Sequence, residues 1–194
     1  MIYDPQMTLG EARADYFRRS GFPDDGGYSE RWIKVKVWRF PIWLPNTAGR
    51  VEAVKLHDLH HVLTEYSTTW RGEAEISAWE VGSGGLCSFW AGWWLDLMNV
   101  AQGLVVNPRG VYRGFMRGRQ SKNLFATEFN DKLLGSAVGE YRYRLGLEHI
   151  QRSASFADYA AFAFWVTLAG FIYSISVGLP IALIGWLAYW IFFR

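Results

Sequence analysis

Residues 47–76 read TAGRVEAVKLHDLHHVLTEYSTTWRGEAEI. Successive residues set 100° apart place His57, His61, Val54, Glu65 and Asp58 within a sector of about 100°, on one helical face. The opposite side carries Val51, Leu56, Leu59, Val62 and Leu63, so the helix has an apolar back and a front of two imidazoles and two carboxylates. Thr47 is placed to cap its N-terminus. A turn over Glu65 to Thr69 reverses the chain, and Gly72-Glu73-Ala74-Glu75-Ile76 starts a second helix. In an antiparallel pair the end of one helix lies level with the start of the next, which brings Glu73 to the height of His61. His57 and His61 are one turn apart, so both rings converge on a single ion. With Asp58 and Glu73 they form a donor set of intermediate hardness that suits zinc; manganese and ferrous iron fit the same ligand types. His60 lies about 100° round the helix from His61 and is expected behind the ligands or at the surface. Glu65 and Glu80 are spare carboxylates. Each could replace Glu73, accept a hydrogen bond from a ligating imidazole, or simply be a solvated charge. His149 is remote from the motif.

On the N-terminal side, Thr8-Leu9-Gly10-Glu11 has capping-box spacing and opens a helix expected to stop near Gly21 and Pro23. Trp32 to Trp38 alternates with period two and reads as a strand, with Phe40 to Leu44 as its hairpin partner. Pro41, Pro45, Asn46 and Gly49 then mark a loop. On the C-terminal side, Gly85 to Pro108 holds one charge, Asp96, among Leu, Phe, Trp, Met and Val. It reads either as the central core helix or as an apolar wall that receives an isoprenoid tail. Arg109, Arg113, Arg117, Arg119 and Lys122 follow with no acid between Asp96 and Glu128. The first three repeat every four residues, giving either a solvated face or a patch for anionic headgroups at a membrane surface.

From Tyr159 to Phe193 no residue is charged, a run that would be about 52 Å long as one helix and is too long for one straight span of a core about 30 Å thick. One long kinked helix and two short ones are both compatible. Val177-Gly178-Leu179-Pro180 favours a transmembrane hairpin of 156–176 and 180–193, because Gly suits a helix end and Pro a first turn. The expected fold is therefore mainly α: a helical domain over 1–152 with a short β-hairpin near its N-terminus, then a membrane anchor over 153–194. No stretch resembling a signal peptide opens the sequence, so the expected location is a cell inner membrane, with the domain on the cytoplasmic side.

His57-Asp58-Leu59-His60-His61, then eleven residues and Glu73 preceded by Gly72, resembles the H-D-x-x-H, eleven, E pattern of the coenzyme Q biosynthesis protein 4 family. The resemblance runs from about Trp38 to Phe125, through Pro45-Asn46-Thr47, the helix pair and Arg117-Gly118-Arg119. It implies an all-helical, membrane-associated protein of ubiquinone biosynthesis, acting as organiser of the pathway's enzymes or as metal-dependent catalyst of headgroup modification. His57, Asp58, His61 and Glu73 would hold its metal, usually zinc. The chain departs from the pattern in a shortened N-terminal region and in the added C-terminal hydrophobic segment.

Composition narrows the function classes. Twenty basic against eighteen acidic residues leave a formal charge of +2, and no nucleic-acid motif accompanies the basic stretch, so nucleic acid is not an expected partner. The lone Cys87 excludes an internal disulfide and a thiolate zinc site. Four histidines are too few for a many-histidine di-iron centre. Two readings remain. In the first, an enzyme binds a prenylated quinone or precursor, the metal polarises a headgroup oxygen or activates water or dioxygen, and Asp58 or Glu65 moves a proton. In the second, an accessory subunit of a larger respiratory or photosynthetic membrane complex reuses the fold. Membrane lipids, quinone-pathway enzymes or other membrane subunits are the corresponding partners.

Overall fold

A computed structural model describes residues 2–37, 40–148 and 152–193. Trp38, Arg39 and His149 lie outside them. The fold is mainly helical, with one two-stranded hairpin near the N-terminus and a long apolar helix at the C-terminus.

Helix α1 (Leu9–Ser20) begins with the expected capping box, in which the Thr8 hydroxyl accepts from the Glu11 N–H and the Glu11 carboxylate accepts from the Thr8 N–H; it ends at Gly21 with a left-handed φ of 71°. Strands β1 (Trp32–Val37) and β2 (Phe40–Pro45) pair antiparallel, with Trp32 opposite Pro45 and Val37 opposite Phe40. The Asn46 side chain then ties the ribbon's approach to the next helix: its amide donates to the carbonyls of Gly27, Tyr28 and Glu30, and its oxygen accepts from Arg50. Helix α2 (Ala48–Thr64) is capped by Thr47, and α3 (Trp70–Gly82) by Thr69. Five residues separate them, and the turn closes only because Gly72 has no side chain, since a Cβ there would sit 1.9 Å from the Ser67 carbonyl oxygen.

The remaining helices are α4 (Trp90–Val106), α5 (Pro108–Gly118), the short α6 (Asp131–Leu134) and α7 (Val138–Arg144), and α8 (Phe156–Tyr173). They divide the apolar interior in two. One core joins α1 and the back of α2, through Leu56, Leu59, Val62 and Leu63, to Leu124, Phe125 and Val138. The other joins α3, α4, α5 and α8 around Ala78, Leu97, Val111, Phe115 and Ala169. Helix α2 belongs to the first core and α3 to the second, so the two meet chiefly through polar side chains.

The apolar run does not reverse at Gly178-Pro180. Helix α8 passes into a π-helical turn (Ser174–Gly178) and continues as α9 (Leu179–Phe193), giving one uninterrupted helix in place of the expected hairpin. Pro180 lacks an N–H, and the wider turn absorbs that loss: the Leu179 N–H bonds back to the Ser174 carbonyl, five residues earlier. A reversal at this point would instead leave several backbone groups unpaired within an apolar stretch. This helix is long and apolar enough to cross a membrane.

Candidate metal centre

Helix α2 projects His57 and His61 from successive turns, and the first turn of α3 brings Glu73 against them. The two Nε2 atoms lie 3.2 Å apart; Glu73 oxygens lie 3.6 Å from His57 Nε2 and 3.4 Å from His61 Nε2. One potential ligand atom from each residue falls within 4.8 Å of the others, so these three residues could hold a metal ion. Tetrahedral coordination with metal–nitrogen bonds of about 2.0–2.1 Å has ligand-to-ligand edges of about 3.3–3.4 Å, close to what the side chains present.

The outer ring nitrogens fix which lone pairs point inward. His61 Nδ1–H donates to the Tyr66 carbonyl at 2.9 Å, leaving Nε2 toward His57, and Tyr16 stacks on the ring at 5.4 Å between centroids. His57 Nδ1–H donates to Glu80 Oε1 at 2.9 Å. Two imidazole lone pairs facing each other at 3.2 Å repel, so the arrangement calls for a cation between them, either a proton or a metal. Burial alone pushes the His57 pKa down, but the Glu80 carboxylate, with Glu73, more than reverses this and holds it well above the usual imidazole range. Burial raises the Glu73 carboxyl, and hydrogen bonds from His57 and His61 overcome that and bring it down to about 2. In the absence of a metal, the cluster therefore carries an imidazolium against ionised carboxylates.

Behind the ligands sits a buried polar layer. His60 Nδ1–H donates to Glu80 Oε1 at 2.6 Å while its Nε2 accepts the Leu124 N–H at 2.9 Å. The ring is packed edge-on against Trp79 and Phe125, and burial lowers its pKa, so it is held neutral. Glu80 is completely enclosed. Burial would raise its carboxyl, but the two imidazoles hold it well below the carboxylate range. Its second oxygen, Oε2, and Asp96 Oδ2 on α4 are both buried without an observed partner. Burial and the Glu80 charge push the Asp96 pKa well above the usual range.

Asp58 stands outside the converging group. Its carboxylate accepts the Tyr28 hydroxyl at 2.6 Å, and it lines the same cavity as the three ligands. Burial raises its pKa. Glu65 is not on the α2 face: the helix ends at Thr64, Glu65 caps it with a φ of 64°, and its carboxylate accepts the Ile2 N–H. Glu65 Oε1 also lies 3.8 Å from Arg142, and Glu65 is not among the converging ligands. The basic stretch is also divided. Arg117 donates to the Thr64 carbonyl, Arg119 pairs with Asp158, and Arg113 lies 3.9 Å from Glu75. Arg109 is exposed at the start of α5, and the Lys122 backbone N–H donates to the Leu145 carbonyl.

The ligands border a cavity of about 550 Å³, which Glu80 and Asp96 also line. Lys34, Arg50, Thr68 and Asn99 give it polar groups, and Phe22, Trp70, Leu86, Leu95 and Phe125 give it apolar wall. Tyr16 and Tyr28 were not legible as site residues, because their approach to His61 and Asp58 depends on how α1 and the loop after it fold back over α2. No family model, curated protein or solved structure matches the chain, so the functional reading rests on its own residues.

Proposed function

We propose that this chain is a membrane-anchored metal-binding protein of quinone metabolism, as its resemblance to the coenzyme Q biosynthesis protein 4 family implies. The observation that carries the reading is the convergence of two imidazole Nε2 atoms and the Glu73 carboxylate at tetrahedral edge distances, at the base of a partly apolar cavity. His57, His61 and Glu73 would hold the ion, with zinc the best match to these ligands and Asp58 near enough to complete or hydrogen-bond the set. Such an ion supplies Lewis acidity toward a headgroup oxygen. The chain's own groups do the rest: Tyr16 and the Tyr66 carbonyl orient His61, Glu80 orients His57, and Leu86, Leu95 and Phe125 exclude water around a prenylated quinone precursor. The location that fits is a cell inner membrane with the domain on the cytoplasmic side.

A second reading, an accessory subunit of a respiratory or photosynthetic complex, draws on Trp32 and Trp43, both exposed on the β-hairpin as contact residues for a neighbour would be. His61→Ala separates the two. Loss of quinone product with normal association of other membrane proteins supports the catalytic reading; unchanged quinone with weakened association supports the subunit. Elemental analysis of the purified protein tests the shared premise. A stoichiometric divalent ion in the wild type that disappears in a His57→Ala/His61→Ala double variant is expected, and a metal-free wild type refutes the site.

A further inference from the structure

The long helix does not leave the domain where its apolar run begins. Its first half is packed on the domain: Trp165 stacks on Trp93 at 5.0 Å and 13°, and Ser176 Oγ accepts from Trp94 Nε1 at 3.1 Å. At the other end, Tyr112 of α5 meets Tyr159 and Phe162. One residue joins α4 to α5, so the C-terminal end of α4 lies beside the start of α8 and its N-terminal end lies beside the π turn. The two helices run antiparallel, and α9 extends past the N-terminus of α4.

What extends is one bilayer core long. The π turn (5 residues) and α9 (15 residues) together rise about 30 Å, the thickness of the hydrocarbon layer. Ile181, Ile184, Trp186, Leu187 and Ile191 are exposed on all sides of it, and Tyr189 and Trp190 near its far end match the aromatic girdle of an interface. The near interface then falls level with Ser176 and Trp94. Trp90, one turn closer to the N-terminus of α4, is 83% exposed. The connection before it holds the exposed Cys87.

We propose that the α3–α4 connection and the first turn of α4, residues 83–94, form a second contact with the lipid bilayer, in which Trp90 enters the headgroup layer beside the spanning helix. Continuity with the span fixes the occupant as lipid. The proposal rests on the reading of 174–193 as the span. It also sets the entry side of the metal cavity: Leu86 and Gly92, which line that cavity, belong to this same rim, and Leu95 follows it, so an amphiphile held in the leaflet would reach the ligands from this side. The basic residues at the start of α5 lie at the opposite end of α4, away from this surface.

Cys87, the single cysteine, provides the probe. The full chain is reconstituted in phosphatidylcholine nanodiscs and labelled with a small fluorophore at Cys87, or at Ile184→Cys or Arg109→Cys in a Cys87→Ala background. Lipids spin-labelled either near the headgroup or deep in the acyl chain are then titrated in. Loss of fluorescence at position 87 with the shallow label and at 184 with the deep label, with none at 109, is expected. Quenching at 184 alone overturns the rim contact while leaving the span intact, and quenching at 109 without 87 places the opposite end on the membrane and overturns it as well. A probe at 184 that neither label quenches refutes the span and the proposal together.

Discussion

His60 commits both ring nitrogens to the protein, one to Glu80 and one to the Leu124 N–H, and so ties α2, α3 and the segment after α5 together at a fully buried point. His60→Ala leaves the Leu124 N–H unpaired and opens a void between Trp79 and Phe125. It should lower stability by about 2–4 kcal/mol, read as a drop in the denaturant midpoint. Glu80→Gln keeps the volume and removes the charge that orients His57. Metal affinity should fall about 10–100-fold with the fold retained, as measured by competition with a chelator. The ligands also set a pH dependence. His57 has a raised folded pKa, so its contribution to the metal-free protein is complete below the ordinary value of 6.5 and is lost as pH rises through the folded value. Glu73 is depressed to about 2, so its contribution is present above the ordinary 4.5 and is lost as pH falls toward 2. The stabilisation from this His57–Glu73 pair in the metal-free protein should therefore be largest between about pH 4.5 and 6.5, read as the difference in thermal unfolding between the wild type and Glu73→Gln across pH. Metal must displace the proton between His57 and His61, so its binding should tighten as pH rises, which titration at several pH values checks. The ligand spacing was legible in the sequence because i, i+4 histidines can only share a face. The partner of Glu80 was not, because its choice among His57, His60 and solvent depends on how α3 rotates against α2.

Helix α5 shows why a basic stripe is an ambiguous signal. The same four-residue period that spaces Arg109, Arg113 and Arg117 also spaces Gly110, Gly114 and Gly118, and it is the glycines that decide how the helix packs. At Gly114 a Cβ would sit 2.4 Å from the Glu75 carbonyl oxygen, and at Gly118 it would sit 2.3 Å from that of Trp79. The backbones of α3 and α5 touch along this line, and the arginines, each one residue earlier, lie about 100° round the helix from it. Gly114→Val should force the helices apart, lowering stability by at least about 1–3 kcal/mol and moving α3 with Glu73 and Glu80 away from α2. Loss of metal stoichiometry should accompany the lower melting temperature, whereas Arg113→Ala at the exposed face should leave both nearly unchanged. The α1, β1–β2 and α2–α3 elements were readable from caps, alternation and the turn. The reversal read at Gly178-Pro180 was not realised, because one π turn accommodates the proline while keeping the backbone of an apolar segment paired.

At the scale of the molecule, the apolar helix has two halves with different tasks. Trp165, Phe162 and Ala169 complete the second core, while α9 stands clear of it. A chain ending at Ser176 should keep its fold and lose stable membrane association. A chain ending at Ser155 should expose the α4 face that Trp165 and Ala169 cover, and aggregate. Flotation on a density gradient and size-exclusion chromatography distinguish the two outcomes. Sequence alone could mark the run as long enough to span, but not where the domain lets go of it, since Phe, Trp and Ala serve a protein core and a lipid interior equally well. The continuity of this helix has a mechanical meaning. With 37 residues from Phe156 to Phe192 and no loop between the part in the domain and the part beyond it, the rod acts as a lever. In the proposed membrane setting, a bilayer whose thickness tilts the outer arm would pull through Trp165 and Ser176 on Trp93 and Trp94, which neighbour the cavity-lining Gly92 and Leu95.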